Sequence, residues 1–339
     1  MEIGIHSFAS AMYGSNELSS VDAMEQLLDR IVRADEAGLD VFGIGEHHKK
    51  EFLDAVPSVI LAAAAARTKK IKLVSAVTVL STSDPVRVFQ QFATLDIISK
   101  GRAGIIAGRG SATEAFPLFG YNLSDYDALF EEKLKLLLQV RDEEFVTWSG
   151  KFRPALRNQP VYPRPLQAKL PVWVGAGGSP ESFVRAGRLG LPLMVAVIGG
   201  ETASFAPLID LYRRAGKEAG FSPDQLKVGL HSPGYVGETD ESAIADYFPG
   251  YRESWSKIGR ERGWPPVTRT QFDAMVAPKG VLVVGGPETV VAKLQRHSKA
   301  LGGIDLFSFQ MDIAGLTHEQ LMRSIELIGS KVIPQINQS

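Results

Sequence analysis

Leu39-Asp40-Val41-Phe42-Gly43-Ile44-Gly45-Glu46-His47-His48 is an apolar run rich in β-formers that ends in a carboxylate and two imidazoles. Titratable groups at the end of a buried strand are costly unless something pairs or uses them. The flanking chain gives this strand a frame. Before it, Val21 to Ala37 carries Leu27, Leu28, Ile31, Val32 and Ala34 near helical spacing, and Gly38 supplies the stop. After it, Val56 to Thr68 is an Ala-rich helix with Pro57 near its start.

The same alternation continues. Strands are expected at Ile3–Phe8, Leu39–Gly45, Ile71–Leu80, Ala103–Ala107, Pro171–Gly175, Leu193–Val197, Leu226–His231 and Ile304–Phe309. Helices separate them. Asp84-Pro85 reads as an N-cap with proline in the first turn. Near-continuous Val/Ile/Ala/Leu strands are those of a parallel sheet covered on both faces. Eight such units argue for a (β/α)8 TIM barrel. An open doubly wound sheet would need a Gly-rich dinucleotide loop after the first strand, and His6-Ser7-Phe8-Ala9-Ser10 is not one. Two stretches break the rhythm: Glu144 to Leu170 after strand four, and a partly helical insertion of about 232–279 after strand seven, rich in Tyr235, Tyr247, Tyr251, Trp255 and Trp264. The chain is expected to form one domain over 1–339, with Gly14 and Ser15 in a loop after strand one.

Composition narrows the function. Among 339 residues there are 37 basic and 38 acidic ones and no cysteine. Near-neutral charge offers no electrostatic case for nucleic acid or an anionic membrane. Absent cysteine excludes disulfides, thiolate nucleophiles and iron–sulfur clusters. No apolar run approaches the ~18 residues of a membrane span, and no signal peptide is read. A cytoplasmic protein is expected.

In a barrel, chemistry collects at the carboxyl ends of the strands. Those ends supply His6, Phe8, Glu46, His47, Val77, Arg109, the Gly175 turn, His231, Gln310 and Asp312. The set is mostly apolar, with no carboxylate cluster and no ring of histidines. His47 and His48 are adjacent and point to opposite faces, so they cannot share a metal. Gly175-Ala176-Gly177-Gly178-Ser179-Pro180 joins a Gly-rich turn to a helix start, a site for an anion such as phosphate. Gly285-Gly286-Pro287-Glu288-Thr289 is a weaker site of the same kind. Arg109 adds a guanidinium suited to bidentate phosphate recognition.

Glu46-His47-His48, Asp84-Pro85-Val86-Arg87, Leu95-Asp96 followed by Ser99-Lys100-Gly101-Arg102, and Gly108-Arg109-Gly110 occur in this order at intervals that resemble the bacterial luciferase-like family of flavin-dependent monooxygenases. Pro171-Val172-Trp173-Val174-Gly175 with Gly177-Gly178-Ser179 resembles the flavin-phosphate loop of many members. The resemblance implies a barrel that holds reduced FMN at its mouth, supplied by a separate flavin reductase, and that uses dioxygen to oxygenate a small organic substrate. It implies His47 as the active-site histidine, with Glu46 beside it, and Arg109 at the flavin phosphate. Ala76 and Val77 match a pair joined in some members by a non-proline cis peptide under the ring. Phe8, Ala76, Val77 and Ala107 suit a flat ring; Gly175, Gly177, Gly178, Ser179 and Arg109 suit its phosphate. Members commonly pair as homodimers through the first helices, and Ala62 to Ala66 would permit close approach.

Two other readings compete. A deazaflavin-dependent dehydrogenase or reductase would use the same barrel with hydride transfer, and a non-catalytic flavin-binding protein would keep the cavity alone. Tyr121, Tyr126, Tyr235 and Trp255 are candidate walls of the substrate pocket.

Overall fold

Alternate residues of the second strand face two different cores. Phe42 and Ile44 pack outward among the helices, whereas Val41 belongs to an inner cluster with Ala76, Ile106, Met194 and Leu306. A strand whose faces are both covered sits inside a barrel wall. The computed structural model describes residues 1–10, 12–13, 16–261, 263 and 265–337. The loop expected at Gly14 and Ser15 and the position of Trp264 fall outside the described residues.

The eight barrel strands are β1 (Glu2–Ser7), β2 (Val41–Ile44), β3 (Lys72–Val79), β4 (Ala103–Gly108), β5 (Val172–Ala176), β6 (Leu193–Ala196), β7 (Val228–Val236) and β8 (Leu306–Gln310). All neighbours pair in parallel. The ring closes where β6 pairs with β7, Leu193 opposite Val228, and β8 pairs with β1, Phe307 opposite Ile3. The first three crossover helices are α1 (Ser20–Glu36), α2 (Pro57–Arg67) and α3 (Pro85–Ser99). Asp84 caps α3 by accepting the Arg87 N–H at 3.0 Å. α4 (Tyr126–Asp142), α5 (Pro180–Arg188) and α6 (Ala206–Glu218) follow. The chain is therefore a TIM barrel, as its strand pattern predicts.

Three local features depart from expectation. The Glu144–Leu170 stretch contains an antiparallel pair, Phe145–Trp148 with Leu156–Pro160. β7 runs on to Val236, so the first residues of the expected insertion are barrel wall. The rest of it forms α7 (Asp240–Glu261) and α8 (Arg269–Val276). A short strand, Val283–Gly285, then pairs with the upper part of β7. It leads into α9 (Pro287–Ala300), the crossover to β8. Tyr235, Tyr247 and Tyr251 are buried and stack in series, with centroids 6.1 and 5.7 Å apart. Among the described residues no helix is long and apolar enough to cross a membrane.

Candidate functional site

The mouth of the barrel holds a cavity of about 260 Å³, near the lower end of small-molecule pockets, roughly 300–1,000 Å³. Its lining includes Phe8, Glu46, His47, Ala76, Val77, Arg109, Gly175 and Gly177. Most of the residues expected at the site therefore meet in one place. Ala107 does not. Strand alternation turns it outward into the helix-facing core, and Ile106 and Gly108 take the inward positions.

The cavity is shaped by missing side chains. The Ala76–Val77 peptide is cis, and the β3–β4 register slips between Ala76 and Thr78. Val77 reaches across glycines on the two following strands. A Cβ on Gly108 would lie 2.4 Å from Val77 Cγ2, and one on Gly175 would lie 2.9 Å from Val77 Cγ1. Real Cβ atoms do not come so close, so β4 and β5 need glycine there.

His47 is held by a residue the sequence reading missed. Asp54 is fully buried. Its Oδ2 lies 2.9 Å from His47 Nδ1, and its Oδ1 accepts the His47 backbone N–H at 3.1 Å. Burial pushes the Asp54 carboxyl above the usual carboxylate range, and the hydrogen bond from His47 opposes that rise. A Cβ on Gly45 would lie 2.8 Å from Asp54 Oδ2, so that glycine makes room for the pair. Phe8 and Phe52 flank the imidazole with centroids 4.5 and 4.8 Å away. Since Nδ1 faces Asp54, Nε2 is the nitrogen left for the cavity. Phe8 is itself fixed by Asp312, which accepts its backbone N–H at 3.1 Å and the Ser7 hydroxyl at 2.5 Å.

Glu46 acts on the wall. Its Oε2 accepts the Val79 N–H at 2.9 Å, just beyond the bulge, and Oε1 lies 3.4 Å from His48 Nε2. His48 is not part of the cavity lining; its ring meets Glu46 and the Phe119 ring instead.

The two expected anion sites differ. At Gly286 the position is taken within the chain: Asp240 accepts the Gly286 N–H at 2.7 Å and the Thr289 hydroxyl at 2.8 Å. That removes it as a phosphate candidate. At α5, Gly177 is exposed and has open space where a Cβ would stand, and Ser179 is the N-cap. Gly178 and Ser179 lie just outside the cavity lining, behind Gly177. Arg109 reaches Asp127 at 2.7 Å, with its guanidinium 5.2 Å from the Tyr126 ring centroid. Of the four expected pocket walls only Tyr126 lines the cavity. Tyr121 lies under Lys133, Tyr235 joins the tyrosine stack, and Trp255 packs on Tyr251. Among the described residues no group of three His, Cys, Asp or Glu is placed to hold a metal.

These residues fit a flavin. The open room at Gly177 beside Arg109 suits a phosphate, and the glycine-cleared slot around Val77 suits a flat ring. A family model described as luciferase-like monooxygenase matches residues 1–303. Limonene 1,2-monooxygenase of Rhodococcus erythropolis is 27% identical over 325 residues, covering 93% of this chain and 82% of that one. The oxygenating constituent of 3,6-diketocamphane monooxygenase from Pseudomonas putida, solved with FMN, superposes with a TM-score of 0.79. It is 22% identical, and the match covers 99% of this chain and 98% of that one. An F420-dependent secondary alcohol dehydrogenase superposes with a TM-score of 0.76 at 20% identity, with 99% of both chains covered.

Proposed function

The chain belongs to the luciferase-like monooxygenase family, and from that premise we propose that it uses reduced FMN and dioxygen to oxygenate a small organic substrate. The observation that carries this reading is the convergence on one cavity of an oriented His47, the open turn at Gly177 and the Arg109 guanidinium. Bound reduced FMN supplies the electrons that activate dioxygen.

The chain's own residues do the rest. Arg109, Gly177, Gly178 and Ser179 hold the phosphate, and Arg109 exchanges its Asp127 partner for it. Phe8, Ala76 and Val77 pack the ring and exclude water from its face. Asp54 holds the Nδ1 proton of His47, so Nε2 gives or takes the proton that the oxygenation moves. Glu46 fixes the wall by holding the Val79 N–H.

The reduced flavin is proposed to come from a separate reductase, the source that the family resemblance implies. The chain pairs as a homodimer through α2 and α3, whose outward residues Val59, Ile97 and Ile98 are 66%, 49% and 46% exposed; light scattering at micromolar concentration reads this directly. The substrate is a small apolar molecule, in keeping with the apolar lining and with the limonene-oxidising relative.

Anaerobic titration with reduced FMN and with the reduced deazaflavin, followed by admission of oxygen, tests the function. Tight FMN binding and substrate-dependent oxygen uptake are expected. Preference for the deazaflavin, with hydride transfer and no oxygen uptake, would transfer the chain to the dehydrogenase reading.

A further inference from the structure

One helix touches both turns that support His47. Along α7, Tyr247, Gly250, Ser254 and Lys257 follow one another at spacings of three and four residues, so they share a face. Gly250 and Lys257 lie two helical turns apart on it, about 10 Å.

At Gly250 the contact is backbone on backbone. A Cβ there would lie 1.6 Å from the Ala314 carbonyl oxygen, in the turn Asp312–Ala314. Only glycine lets the helix rest so close. Pro249 just before it contributes no N–H to the helical ladder, and Tyr247 and Tyr251 to either side are buried. Asp312 in that turn holds Ser7 and Phe8, and Phe8 packs on the His47 ring. At the other end, Lys257 Nζ donates to Glu51 Oε1 at 2.6 Å, and this contact holds the Glu51 carboxyl below the usual carboxylate range. Glu51 precedes Phe52 and Asp54, the groups that flank and orient His47. The chain after β1 closes the circuit. The Leu53 N–H donates to the Ala9 carbonyl at 3.0 Å, and Ser10 pairs with Phe52. Ala9 has a φ of +48°, which an L-residue keeps only where its surroundings enforce it.

We propose that α7 is a positioning clamp for His47: Lys257 acting through Glu51, and Gly250 acting through Ala314, fix the two turns that set the imidazole between Asp54 and Phe8. Lys257, Glu51 and Gly250 are positioning residues, and the inserted helix acts on the group that carries the proton. This rests on the role given to His47 in the flavin reading, and the test is run without flavin so that the two fail separately.

The experiment is NMR of the full chain labelled with ¹⁵N-histidine, reading exchange of the His47 Nδ1–H with water. Loss of the signal in His47→Gln assigns it. Lys257→Met and Glu51→Gln should each speed the exchange about fivefold, the most that a half-exposed pair sustains, and the double variant no further. Lys257→Arg, which keeps the contact, should stay within about twofold of wild type. Exchange of the Phe42 backbone N–H reports opening of the core and should not change in any of them. Wild-type rates at His47 in either single variant would overturn the proposal. So would an equal acceleration at Phe42, or a bare Nδ1 in the wild-type chain. Gly250→Ala should speed the His47 exchange at least as much if circular dichroism shows it folded, and a folded variant at the wild-type rate would overturn the second contact; if it does not fold, Lys257→Met and Glu51→Gln decide. FMN binding by the wild-type chain is read apart, from quenching of flavin fluorescence, and its absence counts against the flavin reading while leaving the clamp in place.

Discussion

Asp54→Asn separates the orientation of His47 from its mere presence. The substitution keeps size and shape, so the buried space beside Gly45 stays filled. A carboxylate accepts from both the His47 backbone N–H and Nδ1–H. An amide has one oxygen and one NH2. If the oxygen stays on the backbone N–H, the NH2 faces Nδ1, and the ring answers by moving its proton to Nε2. One hydrogen bond is exchanged for another, worth about 1 kcal/mol each. Burial no longer has to hold a carboxylate, so stability should change by less than about 2 kcal/mol. Activity should not be spared. With Nε2 protonated in the resting state, the cavity loses its base, and acid–base terms of this kind are worth about 10²–10⁴ in rate. The assay is substrate-dependent oxygen uptake with reduced FMN, beside urea unfolding of the same samples. Turnover within about threefold of wild type, in a variant that folds and binds FMN normally, would refute the orientation argument.

Arg109→Ala should weaken FMN binding about tenfold and riboflavin binding hardly at all, because only FMN carries the phosphate; equal losses by fluorescence titration would exclude a phosphate contact. Gly108→Ala places a Cβ 2.4 Å from Val77 Cγ2 and should cost about 1–3 kcal/mol in urea unfolding, with loss of flavin affinity; an unperturbed variant would mean that Val77 yields freely. Asp240→Ala removes the carboxylate that braces the Gly286 turn at the start of α9 and should cost about 1–2 kcal/mol without changing flavin affinity, which checks that this turn is structural. His231 is pushed down to about 4 by burial, against about 6.5 in the unfolded chain. The unfolded state therefore binds the extra proton between these values, so its contribution is complete above pH 6.5 and is lost as pH falls toward 4. It amounts to about 3 kcal/mol, and unfolding free energies of His231→Asn should show a correspondingly flatter slope across that window.

The barrel was legible because its strands carry their own signal. Runs such as Ala103-Gly104-Ile105-Ile106-Ala107 are apolar on both faces, and helix signals separate one from the next. The same property hid which residues face inward. In a strand apolar throughout, nothing in the pattern separates Ala107 from Ile106, and Ala107 proved to face the helices. Asp54 was hidden for a different reason. It follows Lys49, Lys50 and Glu51, so it reads as one more solvated charge, and only the return of the chain over the strand end buries it against His47. Asp240 escaped notice because its partners lie 46 residues on, at Gly286. Long-range pairs of this kind leave no periodic trace in one sequence.

Along β2 and just past it, one face reads Val41, Gly43, Gly45, His47, and every second residue faces the axis. Val41 fills the inner cluster. The next two positions carry no side chain, and both vacancies are used. The His6 edge lies over Gly43, and Asp54 and Phe8 close on Gly45. Any side chain at Gly45 would push Asp54 off His47 before it touched the imidazole. Any side chain at Gly43 would meet the His6 ring and the Ala76 Cβ, at 2.6 and 2.8 Å. The glycines thus do on β2 what Gly108 and Gly175 do across the barrel for Val77. On strands to either side of β3 the wall gives up side chains so that His6, Asp54 and Val77 can be seated around the cavity. This explains how a barrel this size keeps a packed floor and still admits a planar ring, and why its polar groups, His6, His47 and Asp54, sit beside glycines rather than in an open loop.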